Sequence, residues 1–243
     1  MEFNYFSKEI QEWLVERRAK LTSSEIHRIF KGGKRDMTEK ELEEEKAAKG
    51  KRKTVDTLFG EGAITYIRKK VTEMQSSEIK DEMDFKQTEW GKNNESDGVD
   101  FFKLTTGLSV VYHGISCPKF YKYKDFAGGS PDGDIIEEPA VLEMKCPYDE
   151  DIHTRRLLIK NLEEFIEQEK DIWMQIQMNI FIMNKEHGYF ASFDPRRTDK
   201  KLRMKIIKVP ACLEWQKEFE DRYDAAVELM AEMLYDTQQY LII

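Results

Sequence analysis

The stretch from Gly128 to Pro147 constrains the fold more than any other part of the chain. It reads Gly-Gly-Ser-Pro-Asp-Gly-Asp-Ile-Ile-Glu-Glu-Pro-Ala-Val-Leu-Glu-Met-Lys-Cys-Pro. Val141 to Cys146 reads as a strand closed by Pro147, and Glu137-Glu138-Pro139-Ala140 as a turn. Tyr121 to Ile136, with glycines at its centre, reads as the strand before that turn. Side chains alternate faces along a strand, so Glu143 and Lys145 share one face while Met144 points to the other. If the two strands pair through the turn, Asp132 lies across the hairpin from Glu143. Two carboxylates and an amine then converge on one patch of sheet.

Adjacent carboxylates repel unless positive charge sits between them. A divalent cation supplies it best, and oxygen-only ligands with open positions suit Mg²⁺ or Mn²⁺. The Met144 backbone carbonyl adds a further oxygen. An ion held this way binds a scissile phosphate and lowers the pKa of a bound water. Lys145 beside it orients that water and stabilises charge on the phosphorus. Taken alone, Glu-x-Lys describes any Glu–Lys pair on an exposed edge strand. An aspartate 143 − 132 = 11 residues upstream, with strand sequence on both sides, favours the chemical reading.

Around this hairpin the chain alternates helical and strand periods. Residues 6–30 read as a helix, a break and a second helix, with Thr22 or Ser23 as the second N-cap. Residues 36–50 form a helix ending at Gly50, and 54–74 another with Val55, Leu58, Phe59, Ile64 and Ile67 as its apolar stripe. Helical spacing resumes near Trp90 and stops at Gly107, and residues 108–115 are β-rich. After the hairpin come a long helical stretch (154–184), strands at 188–195 and 202–209, and a terminal amphipathic helix (211–239). The order predicts an α/β (α+β) domain with an N-terminal helical extension. We expect one domain over 1–243: a helical part (1–80), a core (90–210) and the terminal helix (211–243).

Composition narrows the function. The 243 residues carry a formal net charge of −8, which argues against a protein that coats nucleic acid, though a local basic groove is compatible with it. No apolar stretch approaches the ~20 residues of a membrane helix. Glu2, Lys8 and Glu9 do not fit a signal peptide. Cys117, Cys146 and Cys212 are dispersed and odd in number, which suits a reducing, cytoplasmic setting and not an iron–sulfur cluster. Cys146 reads as packing. His27, His113, His153 and His187 lack ligand spacing. No Gly-rich phosphate loop is present, so no nucleotide cofactor is expected. Gln175, Gln177 and Asn179 interrupt an otherwise apolar helix, and buried amides need partners.

The pattern resembles the restriction-endonuclease-like PD-(D/E)xK core, a central mixed sheet flanked by helices. It is similar specifically to nucleases of the phage lambda exonuclease type, the YqaJ-like viral recombinases, over roughly residues 10–210. Trp13, Arg17 and Thr22-Ser23-Ser24 match that family's N-terminal motif, and Gly91 followed by Glu95 its helix motif. Ser130-Pro-Asp132-Gly and Leu142-Glu143-Met-Lys145-Cys-Pro match the metal motifs, Gln175-Ile-Gln177 the following helix, and Phe190-Ala-Ser-Phe-Asp194-Pro a later strand.

The resemblance implies roles. Asp132, Glu143 and the Met144 carbonyl would ligate the metal, and Lys145 would activate the water. Glu95 would lie near both, Gln175 would position the lysine or water, and Arg17 and Ser24 would bind a terminal 5′-phosphate. Ile172 stands where the family often has tyrosine. The implied activity is a Mg²⁺-dependent 5′→3′ exonuclease on double-stranded DNA ends that leaves 3′ overhangs for recombination. A homotrimer, a single-strand annealing partner and a phage or prophage origin in a bacterial host are implied with it. A structure-specific endonuclease or resolvase of the same fold, and a non-catalytic DNA-binding scaffold, are the alternatives.

Overall fold

The computed structural model of the protein describes residues 7–78, 86–114 and 117–239. Phe6, Ile115 and residues 240–243, which the sequence reading includes in its first helix, first strand and C-terminal part, lie outside them. The N-terminal part runs α1 (Lys8–Arg17), β1 (Leu21–Thr22), a 3-10 helix (Ser23–Phe30), β2 (Gly33–Asp36), α2 (Glu39–Ala47), β3 (Thr54–Thr57) and α3 (Glu61–Gln75). Then come α4 (Lys86–Thr106), β4 (Val110–Tyr112), β5 (Tyr121–Tyr123), β6 (Ala127–Gly129), β7 (Gly133–Ile135) and β8 (Ala140–Lys145). The chain closes with α5 (Glu150–Leu158), α6 (Leu162–Gln168), α7 (Lys170–Ile182), β9 (His187–Phe193), β10 (Met204–Pro210) and α8 (Leu213–Gln239).

The central sheet has the order β10-β9-β8-β7-β4. It is mixed: β8 and β9 run parallel and the other neighbours antiparallel. Helices cover both faces, so β8 is apolar on both sides apart from Glu143 and Lys145, as expected for a strand buried front and back. Leu142 and Met144 pack towards α4 with Val99, Phe102 and Phe193. Val141 and Phe190 pack towards α7 with Ile176 and Ile180. The opposite side of α7 offers Met174 and Met178 to a third layer built from the 3-10 helix, α3 and α8. Helix α7 is therefore enclosed between two cores, which accounts for a sequence that is apolar nearly all round. Close approach of α4 to the sheet depends on Gly98, where a Cβ would lie 2.9 Å from Met144 Sδ and 3.1 Å from Phe193 Cδ1.

Three sequence expectations are corrected. Residues 54–74 are not one helix: Val55 lies in β3, which pairs with β2, and Gly60 is the N-cap position of α3. β-branched Thr54, Val55 and Thr57 favour the strand, and the apolar spacing mimics a helix by accident. Residues 121–136 are not one strand but β5, β6 and β7. The chain turns at Lys124 (φ 46°), and Pro131 has no N–H to give a ladder. β5 and β6 leave the central sheet and join β1, which runs parallel to β6. The stretch 154–184 is three helices, interrupted where Asn161 Oδ1 accepts the Glu164 N–H at 2.8 Å and where Glu169 takes a non-helical ψ of 40°. Residues 7–30 follow the expected order of helix, break and second helix: β1 forms the break, and Thr22 takes the N-cap position of the second helix, which is 3-10 in form, without a side-chain hydrogen bond.

Candidate active site

The β7–β8 hairpin sets the site. Gly133 pairs with Leu142, and the Asp132 N–H continues the register by donating to Leu142 O at 3.0 Å. Asp132 thus lies beside Glu143, and its Oδ2 accepts the Met144 N–H at 2.6 Å. Glu143 is only 1% exposed and faces α7. Lys145, on the same strand face, donates to Glu143 Oε1 at 2.5 Å. Gln175 Nε2 donates to the same oxygen at 2.6 Å, and Asn179 Nδ2, one turn later, approaches Oε2 at 3.4 Å. A Cβ on Gly129 would lie 2.2 Å from Asn179 Oδ1, so glycine lets β6 pass close to this amide.

Glu95 reaches the group from α4, with Tyr112 Oη donating to its Oε1 at 2.9 Å. Loss of solvent pushes the carboxyls of Asp132, Glu143 and Glu95 above their ordinary range. At Asp132 the charges of Glu143 and Glu95 add to its desolvation in the same direction. Burial opposes the Lys145 charge, but the carboxylates of Glu143 and Asp132 outweigh it and raise its pKa. Burial and the nearby Glu95 and Asp132 push the Cys146 thiol up to about 12, so it is no nucleophile at neutral pH.

The donor set suits a hard divalent cation: buried carboxylates that raise one another's pKa are the arrangement a cation relieves. Among the described residues, no three acidic, histidine or cysteine side chains converge tightly enough to hold an ion as they stand. Glu143 is instead turned to Lys145 and Gln175.

Helix α1 brings the N-terminal residues to the same place. Trp13 Nε1 donates to Ser130 Oγ at 2.9 Å, and Arg17 stacks over the Trp13 ring at 4.3 Å. A cavity of about 180 Å³ is lined by Trp13, Arg17, Lys92, Glu95, Ser130 and Asp132, among others. Arg17 therefore shares a cavity with two of the carboxylates. Ser24 does not line it. It is exposed, with its hydroxyl 3.4 Å from Thr22 Oγ1.

Two contacts carry no signal in the sequence motifs: Tyr112 on Glu95 and Asn179 on Glu143. Asn179 was visible only as a polar interruption of α7. Of the other two interruptions, Gln175 faces Glu143, whereas Gln177 is structural. It donates to Pro210 O and accepts from Cys212 N, both at 2.8 Å. His153 is likewise structural, held by Ser192 Oγ and Leu202 O at 2.9 Å each. Asp194 is fully buried against Arg196 and Arg197.

The model of the YqaJ-like viral recombinase domain matches residues 12–186. An alkaline exonuclease from Laribacter hongkongensis superposes with a TM-score of 0.69 at 17% identity, covering 94% of this chain and 97% of its own. The same exonuclease in complex with dAMP gives 0.65 at 19% identity, with the same coverage of both chains. A phage-related exonuclease from Haemophilus somnus gives 0.64 at 14% identity, covering 90% of this chain and 96% of its own. No curated protein matches the sequence. At these identities the structural likenesses establish the fold, a PD-(D/E)xK-like arrangement.

Proposed function

The chain belongs to the YqaJ-like viral recombinase family, and on that premise we propose that it is a metal-dependent deoxyribonuclease that degrades double-stranded DNA from its ends. The observation that carries the reading is the convergence of Asp132, Glu143, Lys145 and Gln175 within hydrogen-bond reach of one another or of the same strand segment. Such a group has no packing value that an apolar set would not exceed. The exonucleases with the same fold, one of them in complex with dAMP, support a nucleotide-handling site.

Asp132 and Glu143, with the Met144 carbonyl, would hold Mg²⁺ or Mn²⁺. The ion, when bound, supplies Lewis acidity at the scissile phosphate and a more acidic water. The remaining work falls to the chain. Lys145 leaves Glu143 for the attacking water and the developing phosphate charge, and Gln175 retains Glu143 in place as it does so. Glu95 borders the cavity where the water would sit. Arg17, stacked on Trp13, presents a guanidinium to a terminal phosphate, which carries more charge than an internal diester. Ser24 would join it only if the strand end extends past Thr22. On this reading the polarity is 5′→3′ and the product a 3′ overhang, handed to a single-strand annealing partner. The working form would be a homotrimer in the cytoplasm of a bacterial host.

The test is digestion of end-labelled linear duplex, with and without 5′-phosphate, in Mg²⁺ or chelator. Mg²⁺-dependent loss of label from the 5′ end, faster on the phosphorylated duplex, is expected. Equal cutting of closed circles and linear duplex would favour an endonuclease, and no cutting a binding scaffold.

A further inference from the structure

Glu95 is held by a residue outside every motif the sequence displays. Tyr112 lies on β4, the edge strand of the central sheet, directly opposite Gly133 in the β4–β7 register. The next residue, His113, donates its N–H to Asp132 O at 2.9 Å. Tyr112 is therefore fixed to the hairpin that carries Asp132. Its side chain crosses to α4, where Oη donates to Glu95 Oε1 at 2.9 Å. The ring reaches that position by folding over Gly114, where a Cβ would lie 1.9 Å from both Cζ and Oη.

We propose that Tyr112 is a positioning residue that fixes the Glu95 carboxylate relative to Asp132, Glu143 and Lys145. Glu95 belongs to a helix and the other three to the sheet, so nothing in their own backbone connections sets their mutual orientation. The terminal torsion of a glutamate is broad. One hydrogen bond to Oε1 selects its plane and leaves Oε2 for whatever occupies the cavity that Glu95 lines. The inference rests on the nuclease reading above and adds a residue to it.

The experiment is a double-mutant cycle of Tyr112→Phe and Glu95→Gln, with kcat and KM on linear duplex and calorimetric Mn²⁺ affinity without DNA. Tyr112→Phe keeps the ring and removes one donor to a charged group. Its kcat should fall about 10- to 100-fold, with KM for DNA and Tm unchanged and Mn²⁺ bound several-fold more weakly. In the Glu95→Gln background the same change should cost less than about threefold, because coupled residues are not additive. Gly114→Ala, which displaces the ring by a second route, should reproduce the loss. Wild-type kcat and Mn²⁺ affinity in Tyr112→Phe, or equal losses in both backgrounds, would overturn the inference while the nuclease reading stood. A wild-type protein that cuts no DNA would overturn the nuclease reading, and unchanged Mn²⁺ affinity in Tyr112→Phe would then overturn the inference as well.

Discussion

Asp132 shows most clearly the tension between stability and chemistry at the level of single residues. Its folded-state pKa lies well above the ordinary aspartate value because desolvation, Glu143 and Glu95 all oppose its charge. A group whose pKa is raised on folding binds more protons in the native state than in the unfolded one. Stability must therefore fall as pH rises from the unfolded aspartate pKa through the folded one. Without divalent ions, Asp132→Asn should raise Tm at neutral pH and flatten that pH dependence. A gain of about 1 kcal/mol would appear as roughly 2–4 °C in a melt of the metal-free protein. An equal or lower Tm would mean that the three carboxylates do not burden the fold. Lys145→Ala should lower turnover ~10²-fold or more while DNA affinity changes much less, since a positioned group acting in the transition state is worth about that much. Parallel losses in turnover and affinity would make Lys145 a DNA clamp.

Helix α7 separates roles at the level of elements. Gln175 and Gln177 are two residues apart, yet one faces Glu143 and the other ties α7 to Pro210 and Cys212 at the junction of β10 and α8. Gln177→Leu should leave a buried carbonyl and N–H without partners and cost about 1–3 kcal/mol in denaturant melts, with kcat of the folded protein preserved. Gln175→Leu should do the reverse, lowering kcat with a smaller stability loss. A common pattern in both variants would remove the distinction. In the sequence these amides look alike, because α7 is enclosed on two sides and no amphipathic stripe marks which face is which. The hairpin was legible because alternation along β8 and the spacing to Asp132 are local. The split of 121–136 into three strands was not, since β6 pairs with β1, about 100 residues earlier in the chain, and β5 follows β6 into that sheet. Tyr112 carries no local signal for the same reason: its partner is reached through the fold and not through spacing.

At the scale of the whole molecule, the N-terminal extension completes the site. Parallel pairing of β1 with β6 and the Trp13–Ser130 hydrogen bond carry α1 to the hairpin, so Arg17 and the carboxylates border one cavity. Arg17→Ala should reduce the rate on 5′-phosphorylated ends about tenfold to a hundredfold and leave 5′-hydroxyl ends nearly unchanged, as expected for one lost charged hydrogen bond. Ser24→Ala, exposed and away from the cavity, should have the smaller effect. Initial rates on both substrates separate these outcomes, and equal losses on both would assign Arg17 to general support of α1. The central claim, that Asp132, Glu143 and Lys145 form a hydrolytic metal centre, has a more direct test. Wild type and Glu143→Ala should be compared on labelled linear duplex with Mg²⁺ or chelator, with DNA binding measured in parallel. The account predicts Mg²⁺-dependent digestion by wild type alone, with the variant folded and still bound to DNA. Mg²⁺-dependent digestion by Glu143→Ala at the wild-type rate would contradict it.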